Sequence, residues 1–132
     1  MANARKVKEI SFTMPNRIGL LSELTTAVSK AKINITAICA YGMGNAAYFM
    51  LTTNSHAKAK KALSPLGITV EEKDVVEVVV PDKPGELQKI AKKIANAGID
   101  IEYMYATASS GKKETCIFMT ADNPKAIKVI NK

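Results

Sequence analysis

Two stretches of this chain have the residue types and spacing to hold a small zwitterion or anion. Pro81-Asp82-Lys83-Pro84-Gly85-Glu86-Leu87 follows the strand-like run Val75 to Val80, and Pro15-Asn16-Arg17-Ile18-Gly19-Leu20-Leu21 stands sixty-six residues earlier in the same setting. In each, a β-type pattern ends at proline, a short polar side chain follows, and a glycine stands where an amphipathic helix begins. Glycine lets a ligand approach the backbone because it has no Cβ, and the free N–H groups of a first helical turn attract a carboxylate. Other chemistries lack their residues. There is no nucleophile beside a base, no carboxylate pair with a spaced partner, no Walker-type phosphate loop and no metal-ligand cluster, so no catalytic residue, metal or cofactor is expected. Cys39 and Cys116 lie in strand-like runs and read as reduced packing residues, and His56 reads as an exposed residue opening a lysine-rich helix.

Periodicity gives the elements that must position these turns. Residues 7 to 14 alternate as a strand up to Pro15, and from Gly19 the period becomes helical, with Leu21, Leu24, Val28 and Ala31 at three- and four-residue steps. Ile33 to Tyr41 reads as a second strand, Gly42-Met43-Gly44-Asn45 as a turn, and Ala46 to Thr53 as the returning strand. Asn54 or Ser55 caps a short helix from His56 to Leu63, which Pro65 and Gly67 close, and Ile68 to Glu71 supplies a fourth strand. After the separator Glu72-Lys73-Asp74 the order begins again. Val75 to Val80 is strand, and Leu87, Ile90, Ala91, Ile94 and Ala97 form a helical stripe closed by Gly98. Ile99 to Tyr105 is strand, Ser109-Ser110-Gly111-Lys112 turn and Glu114 to Thr120 strand, before a helix opens at Asn123-Pro124. The second copy stops there. Its sheet edge is expected to be uncovered, or filled by residues near 68 to 74 or by another chain.

The fold class is therefore α+β, with two tandem ferredoxin-like βαββαβ units, residues 1–72 and 73–132, whose sheets are antiparallel and the second of which lacks its last strand. Each half of the 132 residues is small, and a domain that size buries only about 60% of its unfolded surface, so pairing between domains and into a homodimer is expected. The net charge of +7 is spread over lysines on the polar faces of helices, which reads as solvated surface rather than a nucleic-acid groove. No apolar run is long enough to cross a bilayer and Met1-Ala2-Asn3-Ala4-Arg5 is not a cleavable leader, so the expected location is the cytoplasm.

Several uses of a ferredoxin-like unit make distinct demands. A heavy-metal carrier needs paired cysteines in the first turn, and neither copy has one there. An RNA-recognition sheet needs outward aromatics on its central strands, and Val75 to Val80 has none. A phosphate-hydrolysing loop finds Arg17 and Asn34 in one copy alone. By contrast Asp82-Lys83-Pro84-Gly85-Glu86-Leu87, Ile90-Ala91-Lys92, Gly98-Ile99-Asp100-Ile101 and Tyr103 resemble the ACT domain found in regulatory parts of amino-acid pathway enzymes. Asn16-Arg17-Ile18-Gly19-Leu20-Leu21 with Ile33-Asn34-Ile35 is a second match, with Ile18 where proline is usual.

The resemblance implies domains paired side by side, with an amino acid at the seam between the turn of one domain and the second-strand start of its neighbour. It implies one seam of Asn16, Arg17, Ile18, Gly19 and Leu20 with Asp100 and Ile101, and another of Asp82, Lys83, Pro84, Gly85 and Glu86 with Asn34 and Ile35. Backbone N–H groups near each glycine then meet the carboxylate, and the Asn and Asp oxygens the ammonium group. The implied function is a non-catalytic regulatory protein that binds an amino acid, pairs as a homodimer and signals to a partner enzyme. The competing readings are that Asn16 and Asp82 merely cap helices, that Gly19 and Gly85 serve close packing, and that the sheet is an interaction or RNA-binding module.

Overall fold

The computed structural model describes residues 3–109 and 112–132 and divides into two compact units, residues 8–73 and residues 74–132 together with the chain's beginning through Val7. The first unit contains most of β1 (Asn3–Pro15), then α1 (Leu20–Lys30), β2 (Ile35–Met43), β3 (Ala46–Thr53), α2 (His56–Leu63) and a 3-10 turn at Ser64–Leu66. The second contains most of β4 (Glu71–Pro81), then α3 (Glu86–Asn96), β5 (Ile101–Ser109), β6 (Lys113–Thr120) and α4 (Asn123–Ile130). In the first, β3 lies between β2 and β1, and in the second β6 lies between β5 and β4, every one of these pairs antiparallel. Each unit is thus an antiparallel sheet carrying two helices, the α+β class expected. The centre of the expected turn Ser109 to Lys112 falls outside the described residues.

Both units bury one face of their sheet under their helices. In the first, Ile10, Phe12, Phe49 and Leu51 of the strands meet Leu24 and Val28 of α1. In the second, Val76, Val78 and Phe118 meet Ile90 and Ile94 of α3 and Ile130 of α4. Alternation along β4 places Val76, Val78 and Val80 on the helix side, which is why a valine-rich run folds as strand here rather than as part of a helix.

The second copy's edge corrects the sequence reading. The place of its last strand is taken by neither residues 68 to 74 nor another chain, but by the first residues of β1, beside β4. Ala4 is buried in the second unit's core, its N–H donates to Asn131 Oδ1 at 2.6 Å, and its carbonyl accepts from Asn131 Nδ2 at 2.9 Å. Arg5 Nε lies 2.8 Å from Glu77 Oε1, a carboxylate whose side chain is only 8% exposed. Likewise the expected separator at 72 to 74 is continuous strand, Ile68 to Val70 are not strand, and residues 71–73 belong with the first unit. The long strands β1 and β4 are thus each divided between the two units.

The helix stripe also shifts. Leu20, Leu24 and Val28 are buried while Leu21 is 50% exposed, and in the second copy Ile90 and Ile94 are buried while Leu87 is 39% exposed. Both helices close through a residue with positive φ, Gly98 at +71° in one and Lys32 at +58° in the other. The two positions make the same bonds, Lys32 N–H to Ser29 O and Gly98 N–H to Ala95 O. A side chain in the left-handed region costs roughly 1–2 kcal/mol, against about 0.5–1 kcal/mol of extra backbone entropy that glycine loses on folding. Lys32→Gly is accordingly expected to raise unfolding stability by about 0.5–1 kcal/mol in urea denaturation, and a lower midpoint would contradict the assignment.

Candidate functional site

Each strand-to-helix turn is built the same way. Asn16 N–H donates to Asn45 O at 2.8 Å, and Asp82 N–H donates to Lys112 O at 2.9 Å, so each turn is tied to the β-hairpin of its own unit. Gly19 and Gly85 then occupy the N-cap with φ of +87° and +89°, and neither helix start receives a side-chain cap. A Cβ built on either glycine would meet nothing within 4 Å. Close packing is therefore not what selects glycine, and the left-handed backbone is. Nor do Asn16 and Asp82 act as caps. Leu20 N–H turns back to Arg17 O and Glu86 N–H to Lys83 O, both at 3.4 Å, and the N–H groups of Leu21 and Ser22 in α1 and of Leu87 and Gln88 in α3 are left for water or a ligand.

Around the first turn these features line one concavity of about 270 Å³, bordered by Asn16, Arg17, Gly19, Leu20, Leu21 and Ser22 on one side and by Ala40, Tyr41, Gly42, Ala47 and Phe49 on the other. Hairpin register explains the second wall. Pro15 pairs with Ala46, and Gly42 with Ala47, which puts the end of β2 beside the turn. The floor is apolar, with Leu20 3%, Ala47 4% and Phe49 4% exposed. Arg17 Nη2 is held 2.6 Å from Glu23 Oε2 over the first turn of α1. The Asn16 carboxamide lies against Gly42, where a Cβ would stand 2.9 Å from Asn16 Nδ2. Sequence reasoning missed Tyr41, Gly42 and Phe49. Gly42 and Met43 belong to β2 rather than to the turn, which is Gly44-Asn45 alone.

The other expected site residues are distributed as follows. Ile18 projects fully into solvent at the tip of the first turn. Asp82, Lys83, Pro84 and Gly85 form an exposed turn, while Glu86 joins Lys89, Lys92 and Lys93 in lining a groove of about 460 Å³ along α3. Lys89 Nζ donates to Glu86 Oε2 at 3.0 Å, and this bond, with the nearby lysines, holds the Glu86 carboxyl below its usual range. Asn34 and Ile35 line a depression with Lys32 and Ile33, and the Asn34 N–H donates to Asn54 Oδ1. Asp100 is exposed, and Ile101 is half-buried against the second core. Neither unit brings its own turn to its own second-strand start. Pro15 pairs at one end of β3 and Ile35 at the other, seven residues or roughly 23 Å apart, and Pro81 and Ile101 are spread likewise along β6.

The two cysteines are reduced. Cys116 is fully buried, and burial, then the neighbouring Glu114, pushes its thiol up to about 12. Cys39 is half-buried and shifted in the same direction by burial and by Glu9. Both are protonated packing residues at neutral pH rather than nucleophiles. Among the described residues no group of three or more His, Cys, Asp or Glu is placed to hold a metal, and no helix is long and apolar enough to cross a membrane.

Known proteins share this architecture. Protein BT0572 from Bacteroides thetaiotaomicron superimposes with a TM-score of 0.85 at 29% identity, covering 98% of this chain and 89% of that one. The ligand-free regulatory subunit of aspartate kinase from Thermus thermophilus superimposes at 0.65 with 17% identity, covering 97% and 94%. A structure of aspartokinase alpha and beta subunits gives 0.67 and 19%, covering 98% and 95%. No curated protein matches. The family model for an ACT domain pair matches residues 5–132. That span takes in both turns, both sheets and the strand segment from Arg5 onward that completes the second of them, and the chain belongs to the ACT domain pair family.

Proposed function

We propose that this ACT domain pair is a non-catalytic regulatory protein of the cytoplasm that binds a free amino acid at its strand-to-helix corners, works as a homodimer and signals to a partner enzyme. An ACT pair is a regulatory module, and two of the structures it resembles belong to aspartate kinases. By that analogy the partner is an enzyme of amino-acid metabolism. The observation that carries the reading is the first corner, where an uncapped helix start, a guanidinium, a carboxamide and an apolar floor converge on one concavity of about 270 Å³.

Each part of an amino acid has a counterpart there. The carboxylate meets the N–H groups following Gly19 and the Arg17 guanidinium, where a helix-end interaction contributes about 0.3–1 kcal/mol when exposed and up to about 2 when partly buried. The ammonium donates to Asn16 Oδ1. The side chain lies on Leu21 and Phe49, which favours a branched or aromatic amino acid. In the same reading Asp82, Lys83, Pro84, Gly85 and Glu86 form a second corner, and Asn34, Ile35, Asp100 and Ile101 are what a neighbouring domain contributes. Regulation follows if the bound amino acid favours one paired arrangement over another.

Thermal unfolding in the presence of each of the twenty amino acids tests this. A true ligand at a hundredfold excess over its dissociation constant adds about 2.7 kcal/mol. A melting point that no amino acid moves, with RNA binding steeply dependent on salt, would replace the reading with a nucleic-acid module.

A further inference from the structure

The matched hydrogen bonds Asn16 N–H to Asn45 O and Asp82 N–H to Lys112 O align the two corners residue by residue. With the strand registers they set Ala47 against Glu114, Phe49 against Cys116 and Gly42 against Ala108. Along the turn and helix, Asn16 stands against Asp82 and Leu20 against Glu86. Three neutral side chains around the first concavity are thus three carboxylates in the second unit. Glu114 is turned to the helix side of its sheet, accepting from the buried Cys116 Sγ at 3.7 Å. Glu86 has only 13% of its side chain exposed.

We infer that the two copies have divided their roles, and that each chain recognises a carboxylate ligand at the first corner alone. This rests on the amino-acid reading above. At the second corner Asp82, Glu86 and Glu114 stand where the first has Asn16, Leu20 and Ala47; of the lysines nearby, Lys89 is engaged by Glu86, Lys93 by the carbonyls of Ile130 and Lys132, and Lys83, Lys92, Lys112 and Lys113 are exposed to solvent. Bringing like charges together in a partly buried site opposes binding. At the first corner the lining carries no carboxylate among the described residues, and Glu23 engages one nitrogen of the Arg17 guanidinium, which has further N–H donors. Gly42 is a positioning residue in this scheme. Its missing Cβ is what lets the Asn16 carboxamide lie over β2, and Ala108 removes that space in the second copy. The repeat therefore keeps the backbone corner twice and the side-chain chemistry once.

The test is a titration of the ¹⁵N-labelled full chain with L-leucine, L-isoleucine, L-valine, L-phenylalanine and L-tyrosine, followed by amide and Asn side-chain shifts. Saturable shifts at Gly19, Leu21, Ser22 and the Asn16 carboxamide, with Gly85, Leu87 and Gln88 unmoved, are the expected result. Ala47→Glu should abolish those shifts and Glu114→Ala should leave them unchanged. Ala47 is buried, so Gly42→Ala is the variant that spares the core, and it should weaken binding about tenfold while the Asn16 carboxamide resonance moves in the free protein. Shifts of equal affinity at Gly85 to Gln88, or unaltered binding by Gly42→Ala, overturn the division of roles and leave the amino-acid reading standing. No saturable shift at either corner, with the twenty-amino-acid melting series also flat, overturns both.

Discussion

Removing residues 1–7 is expected to unfold the second unit at a temperature where the first remains folded. Asn3 onward in this segment lies in β1, beside β4, in a unit that otherwise begins at Asp74. Without it Asn131 loses both of its bonds to Ala4, the core loses Ala4, and the Glu77 carboxylate loses the Arg5 guanidinium. Asn131 is exposed, so water takes up its freed amide and each lost bond costs about 0.5–1.5 kcal/mol, while stranding one member of a buried ion pair costs about 3–5 kcal/mol. Arg5 is 71% exposed, so the pair is worth less than a fully buried one and solvent reaches the vacated site. Even discounted, the losses sum to roughly 4 kcal/mol, against the about 5–15 kcal/mol that hold an ordinary domain folded. Hydrogen exchange is the direct measurement. Amides of β4, β6 and α4 should lose protection, while those of β3 and α1 keep theirs. Asn131→Ala should reproduce part of the effect without shortening the chain. Equal protection in the truncated and full-length chains would mean that the segment contributes no stability.

That segment also marks where the sequence stops being readable. Both turns, the helices and the returning strands were legible because proline, glycine and period changes punctuate them at matching positions. Asn3-Ala4-Arg5-Lys6 has no such alternation. Its apolar signal is Ala4 alone. The same ambiguity hid the continuity of β4, because Glu72-Lys73-Asp74 has the composition of a linker while its backbone is that of a strand. The one-residue displacement of the α1 stripe, from Leu21 to Leu20, has a different cause. Glycine at the N-cap with φ near +87° sets the phase of the helix, and the apolar residues on both sides of Ser22 fit either phase in sequence.

For the candidate site the division is similar. The turn residues could be picked out locally, as the backbone corner depends on a glycine and its neighbours. The opposite wall could not. Tyr41, Gly42 and Phe49 reach the corner only through the pairing of β2, β3 and β1, and a turn-like composition at Gly42-Met43-Gly44-Asn45 drew the reading away from them. Exposed apolar residues at Ile18, Leu21, Tyr41 and Met43 surround the same end of the first unit, a surface that a half-open corner leaves wet.

Phe49→Ala should damage stability and ligand binding together. Phe49 stacks on Phe12 with ring centroids 5.1 Å apart and planes at 15°, belongs to the first unit's core, and floors the concavity beside Gly19. Truncating a buried phenylalanine costs about 3–5 kcal/mol through lost transfer energy and the cavity left behind. The same cavity opens beneath the place where the ligand side chain lies, so the amino acid that raises the wild-type melting point should no longer do so. Loss of binding in a destabilised protein is ambiguous by itself, and Phe118→Ala resolves it. Phe118 is 1% exposed in the second unit's core, and its truncation should cost a comparable amount. It floors no corner of the first unit. At a temperature where both variants remain folded by circular dichroism, Phe118→Ala should therefore retain wild-type affinity and Phe49→Ala should lose it. Equal loss in both would show that affinity follows global stability, and would sever the connection between the apolar floor and recognition.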